Sequence, residues 1–275
     1  MKRGFTLVEL LISLVLMLVL AGIGLRFFLV QHWTGTTQSE TAAVQASLRA
    51  GGLFLATELR ELGGTPGDPD ILALGVDSLT YRAMRGSGVS CARSASSVLL
   101  EAAQFRGFRT VQAGRDSILL YFEGDDSSFS DDRWVHLPVL SVGGATCGAS
   151  TAIQIGTSID TIQNPFRGFG PLAPVRTFEV MQVKLYQSAG DYWLGARSVS
   201  AGESIQPLTG PFMPNGLELL YRDSLNAPTT VAEDIRSIRI TLRARTSLSV
   251  RIGGGSGPLA RRTDSLLTLV ALRNW

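Results

Sequence analysis

The chain carries one acidic residue, Glu9, inside an otherwise apolar stretch, and that residue narrows the choice of fold more than any other feature. Met1-Lys2-Arg3-Gly4 leads into Phe5-Thr6-Leu7-Val8-Glu9, and an apolar run follows from Leu10 to Leu25, interrupted only by Ser13. A secretory signal has a basic start, a short apolar stretch and a small-residue cleavage site, for which Val19-Leu20-Ala21 would serve. A plain membrane anchor needs about 20 apolar residues, and Phe5 to Val30 supplies them if Glu9 and Arg26 are tolerated. Neither use gains anything from a carboxylate, which costs on the order of a few kcal/mol in an apolar segment. An acid retained at that cost implies a partner for it.

Gly4-Phe5-Thr6-Leu7-Val8-Glu9-Leu10-Leu11 resembles the prepilin processing and methylation motif of type IV pilins and type II secretion pseudopilins, which joins a basic leader, a Gly-Phe junction and one carboxylate at fixed spacing. The resemblance implies that prepilin peptidase cuts between Gly4 and Phe5 and methylates the new amino group of Phe5. It implies that Glu9 meets the N-terminal amine of a neighbouring subunit in the filament core, an opposite charge for a buried acid. Lys2 and Arg3 would hold the leader on the cytoplasmic side. The implied partners are prepilin peptidase, other major and minor pilins or pseudopilins, the inner-membrane assembly platform and membrane lipid. The implied location is a single pass through the inner membrane with the head on the periplasmic or outer side, followed by a pilus or pseudopilus, with the cell surface as a further destination.

Beyond Val30 the pattern becomes amphipathic. Val44, Leu48, Leu55, Leu59 and Leu62 fall on one helical stripe, with Gln45, Arg49, Glu58 and Arg60 off it. Gly51-Gly52 should weaken the helix locally, and Gly63-Gly64 before Pro66 should end it. A helix from Phe5 to Leu62 would be about 87 Å long at 1.5 Å per residue.

After Pro66 the period shortens to two. Strand-like runs occur at Ser78–Met84, Ser117–Glu123, Trp134–Val142, Val175–Gln187, Tyr192–Val199, Leu217–Arg222, Ile235–Arg245 and Leu266–Leu272. Ser188-Ala189-Gly190-Asp191 reads as a hairpin turn, Asn226-Ala227-Pro228 as another turn, and Gly253 to Pro258 as a flexible connection. The expected fold is α+β, one long N-terminal helix packed on an antiparallel β-rich head. The organisation expected is a leader at 1–4, an assembly helix at 5–30, its amphipathic continuation at 31–65 and a head at 66–275, with a small β insertion around 85–175. The stretch Gly216 to Asp223, the strand around Ile235 to Leu242, and Leu269-Val270-Ala271-Leu272-Arg273-Asn274 resemble the C-terminal half of PilW-like minor pilins and J-type minor pseudopilins.

Composition sets further bounds. Removing Lys2 and Arg3 leaves 23 basic against 23 acidic residues, so the rest of the chain carries no large non-specific nucleic-acid field. Cys91 and Cys147 are the only cysteines, without CxxC spacing and with only His32 and His136 as further ligands, a poor zinc set. In an exported head they point to one disulfide, with two separately buried thiols as the alternative.

HExxH, GxSxG and Walker-type loops are missing from the sequence, so no enzyme and no cofactor is expected. Gly168-Phe169-Gly170-Pro171-Leu172-Ala173 matches GxGxxA on paper, but the surrounding prolines make it a loop. Glu123, Asp125, Asp126, Asp131 and Asp132 could offer oxygens to calcium but do not follow EF-hand spacing, so a solvated acidic loop is expected. His32 and His136 read as surface or half-buried residues. Seven arginines between Arg236 and Arg262 occur without an intervening acid. Strand alternation puts Ile238, Ile240, Leu242 and Ala244 on one face and Arg239, Arg243 and Arg245 on the other. That row is a candidate site for DNA phosphates or acidic partner pilins, against the plainer reading of a solvated outer face.

Overall fold

The computed structural model describes residues 6–65, 67–94, 96–122, 133–158, 173–252 and 257–273. One helix, Leu7–Arg60, runs without interruption through 54 residues, about 81 Å at 1.5 Å per residue. Thr6 caps its start: the Thr6 hydroxyl accepts from the Glu9 N–H at 3.3 Å, and the Glu9 carboxylate accepts from the Thr6 N–H at 3.1 Å. The end comes at Glu61, two residues before the glycines expected to stop it.

Among the described residues, the regular structure after the helix is antiparallel sheet apart from one short 3-10 turn, Ala232–Asp234. The central sheet is ordered, from one edge, Thr263–Ala271, Ser237–Arg245, Gln206–Arg222, Asp191–Ser198, Pro174–Ser188 and Ser78–Ser94. Ser78–Ser94 then continues into a second set of strands, pairing with Ser97–Glu101, which leads through Ser150–Gly156 to Ser141–Cys147. Two hydrophobic cores result. The larger is formed by the helix residues Val44, Leu48, Leu55 and Leu59, with Leu62 just beyond the helix, against Leu79, Tyr81, Val183, Leu194, Phe212, Ile238, Ile240 and Leu242 of the sheet. The smaller gathers Val98, Leu100, Ile118, Leu120, Leu137, Ile155 and Val175.

The five expected stripe residues are all buried, a stabilisation on the order of 10 kcal/mol before conformational entropy is subtracted. Ser237–Arg245 alternates perfectly, its isoleucines, Leu242 and Ala244 inward and its arginines outward. Gly51 and Gly52 act differently from the expectation. The helix passes through them unbroken, and a Cβ at Gly51 would meet Leu242, Leu194 and Thr209 at 3.2–3.3 Å, while one at Gly52 would fall 2.6 Å from Leu266. Helix and sheet approach closely at this pair, and that contact outweighs the helix-propensity cost.

The run Trp134–Val142 is two strands, Arg133–Pro138 and Ser141–Cys147, with different partners. The Val139 N–H donates to the Asp116 carbonyl, one step further along the ladder with Ser117–Phe122, and the Leu140 N–H donates to the Gly156 carbonyl, so the change of partner falls between Val139 and Leu140. The hairpin at Ser188 to Asp191 has a two-residue loop, with Ala189 at φ 52° and Gly190 at φ 85°. Positive φ at both positions is the type I′ arrangement, in which alanine is strained. Ala189→Asn should therefore stabilise the protein by about 0.5–1 kcal/mol, raising the thermal midpoint by roughly 1–4 °C. An unchanged or lower midpoint in a thermal melt would contradict this.

Candidate functional site

From Leu7 to Val30 the helix covers no part of the head. Leu7 is 80% exposed, Met17 73% and Leu20 69%, and Val44 is the first buried helical residue. This segment belongs to the one described helix that is long and apolar enough to cross a membrane. Two hydroxyls, one within the segment and one just beyond it, are satisfied by the helix itself. The Ser13 hydroxyl donates to the Leu10 carbonyl at 2.9 Å, and the Thr34 hydroxyl to the Val30 carbonyl at 2.9 Å. Such back-bonding removes the polar cost of these side chains in an apolar setting.

Glu9 cannot be treated the same way. Its carboxylate accepts from the Thr6 N–H and the Thr6 hydroxyl, both at 3.1 Å, and sits in the first turn where the helix dipole favours an anion. Two neutral donors hold the carboxylate at the helix tip but do not neutralise it. A cation arriving next to Thr6 would find the acid already oriented. Gly4 and Phe5, the expected cleavage and methylation residues, lie outside the described residues.

In the head, the expected cysteine pair is joined: Cys91 of Ser78–Ser94 and Cys147 of Ser141–Cys147 are bonded, with Cα atoms 6.1 Å apart. The three candidate arginines share a strand face but differ in their partners. Arg243 donates to Glu218 at 2.5 Å, and Arg245 donates to Asp191 at 2.9 Å. Arg239 lies in register between Leu220 and Leu269. Two of the three are thus engaged by carboxylates of their own sheet.

His32 is exposed on the helix, and His136 is half-buried with Nε2 2.5 Å from Asp68 Oδ2. Burial, followed by the charge of Arg82, holds the His136 pKa below its ordinary value. No group of three metal-ligating side chains is present among the described residues. The acidic run at Glu123 to Asp132 lies outside the described residues, as does most of Gly168 to Ala173.

The sequence reading missed an ion cluster between the two cores. Glu179, 3% exposed, accepts from Arg85 at 2.5 Å and Arg115 at 2.6 Å, and lies 3.4 Å from Arg109. Arg85 also donates to Glu58 of the helix at 3.1 Å, and the fully buried Tyr81 hydroxyl donates to Glu58 at 3.1 Å. Glu58, expected off the buried stripe, is thus the polar bolt between helix and sheet. A β-bulge makes this possible: Thr177 pairs with Gly86 but Phe178 with Met84, leaving Arg85 as the extra residue, re-aimed towards both acids. A groove of about 600 Å³ lies beside it, lined by Glu58, Met84, Arg85, Arg106, Phe108 and Arg176 among others. No local signal marks the cluster, because Arg85 and Glu179 are 94 residues apart.

Residues 1–25 match the family model described as the prokaryotic N-terminal methylation motif. No curated protein and no solved structure matches the chain. The matched motif ends within the bare helical segment.

Proposed function

We propose that the chain is a minor pilin or pseudopilin, a low-copy structural subunit in the tip or priming complex of a type IV pilus or a type II secretion pseudopilus. The observation that carries this reading is the methylation motif at residues 1–25 running into a helix whose apolar surface the head leaves bare until Val44. Such a surface must be covered by lipid or by other helices. Before assembly, Phe5 to Val30 would anchor the subunit in the inner membrane with its head on the periplasmic or outer side. During assembly, the same surface would pack against the helices of neighbouring subunits.

In this reading Glu9, held at the helix tip by Thr6, answers the methylated amine of a neighbouring subunit and sets the register of addition. The large head supplies partner specificity and suits a low-copy position, since dense helical packing leaves less room for bulky heads. The resemblance of the C-terminal strands to those of PilW-like minor pilins and J-type minor pseudopilins supports this reading. Prepilin peptidase, the assembly platform and other pilins are its partners.

Intact-mass measurement on protein recovered from membranes should show loss of the first four residues and gain of one methyl group. A mature N-terminus at Gly22 would instead identify an ordinary signal peptide and overturn the proposal.

A further inference from the structure

The short hairpin Val250–Arg251 with Leu259–Ala260 stands outside the main sheet and lies along the helix. Two contacts fix its direction. The Leu248 N–H donates to Glu40 Oε2 at 3.0 Å, and the Arg251 guanidinium lies over the Trp33 ring, 4.2 Å from its centroid. Glu40 and Trp33 are separated by about 10 Å of axial rise, and the extended chain from Leu248 to Arg251 covers about the same distance. The hairpin therefore climbs the helix towards its N-terminus. Helical side chains lean towards the N-terminus, so the Trp33 ring lies over the turn that ends the apolar run at Val30. The hairpin reaches that level too.

It exposes three apolar side chains, Leu248 at 57%, Ile252 at 46% and Leu259 at 65%, with Ser247, Ser249 and Arg261 exposed beside them. The Ile252 N–H donates to the Pro258 carbonyl, and Arg251 donates to the Gly257 carbonyl, which closes the hairpin around the arginine. Aromatic and arginine side chains with a wet polar end and an apolar body favour the boundary between headgroups and acyl chains.

We propose that this hairpin is a second membrane contact. Ile252 and Leu259 rest in the headgroup layer on the head's side of the bilayer, and Arg251, stacked on Trp33, lies at the level of the lipid phosphates. Lipid is favoured over a protein partner because the hairpin edge continues the apolar surface of Leu7 to Val30 at the height where that surface ends. The proposal rests on the reading of that segment as a membrane span. Its consequence is a head gripped at two points, with its tilt to the membrane restricted before assembly.

The full chain is reconstituted in phosphatidylethanolamine–phosphatidylglycerol vesicles, dilute enough that copies do not meet. Ile252→Cys, Met17→Cys and Leu225→Cys variants each carry an environment-sensitive nitrobenzoxadiazole label, with quenching by lipids spin-labelled near the carbonyl as the readout at 252 and 225, and by lipids spin-labelled near the acyl-chain end as the readout at 17, the middle of the span. Leu225 is the control. It is 86% exposed, and its turn is linked through Arg222, Arg236, Leu272 and Arg273 to Arg60, about 40 Å along the helix from Trp33. The label at 252 should be quenched at least threefold more than the label at 225, and Arg251→Ala should halve that difference by freeing the hairpin from Trp33. Equal quenching at 252 and 225, with strong quenching at 17, would overturn the hairpin contact alone. Loss of quenching at 17 as well would overturn the span itself. A signal at 252 that appears only at high protein density would assign the hairpin to a second copy and overturn the lipid assignment.

Discussion

Glu9→Val should leave the subunit as abundant in the membrane as the wild type but lower its recovery with partner pilins at least tenfold. The valine is comfortable in an apolar segment, whereas the carboxylate it replaces is costly there unless a cation answers it. Two effects are combined in this change, because Glu9 also accepts the Thr6 N–H and hydroxyl at the helix cap. Glu9→Gln separates them. Glutamine retains the capping geometry but offers no charge, so Glu9→Gln should assemble as poorly as Glu9→Val if charge pairing governs assembly. Undiminished co-purification of both variants, compared at equal membrane abundance, would leave Glu9 without an assembly role.

Glu179→Ala is expected to be the most destabilising single change in the head, at about 3–5 kcal/mol, because it strands Arg85 and Arg115 in a buried setting with fewer acceptors. A urea titration would read it directly, and a loss below 1 kcal/mol would show that the cluster is ornamental. The effect should also depend on pH. Burial works to raise the Glu179 pKa, but hydrogen bonds and charge from Arg85, with a further hydrogen bond from Arg115, outweigh it and hold the acid below its ordinary value of 4.5. A depressed acid stabilises the fold fully above its unfolded value, and that stabilisation is lost as pH falls through the folded one. Wild type and Glu179→Ala should therefore differ most near neutrality and converge as the pH drops below about 4.5. A gap that widened in acid would have the wrong sign.

Elements with one buried face were legible in the sequence. The helix stripe from Val44 to Leu62 and the alternation from Ile238 to Ala244 each write a single period into consecutive residues, and both fold accordingly. The Ala189-Gly190 loop was legible from turn chemistry. Small and punctuating residues hid other strands. Ser141–Cys147 reads Ser-Val-Gly-Gly-Ala-Thr-Cys with little side chain to alternate, and the first half of Gln206–Arg222 carries Pro207, Pro211 and Pro214. That half is strand all the same, with its pairing register broken between Phe212 and Leu217. At the candidate site, Glu9 was evident because a charge in an apolar run is conspicuous. Its Thr6 cap and the Arg85 bulge were not, since each depends on where other atoms lie.

Ser78–Ser94 and Pro174–Ser188 pair along most of their length; both line the larger core, Pro174–Ser188 also gives Val175 to the smaller one, and Glu179 lies between these two ends of its strand. In mechanical terms these strands are a splice. Ladder hydrogen bonds run perpendicular to antiparallel strands, so a pull applied lengthwise from the smaller core loads many of them in parallel instead of opening them one by one. The disulfide ties the far strand Ser141–Cys147 into the same member, and Arg85 fastens that member to Glu58 of the helix. Tension on Ser141–Cys147 would thus travel to the helix through the disulfide, the paired strands and the Arg85–Glu58 bridge.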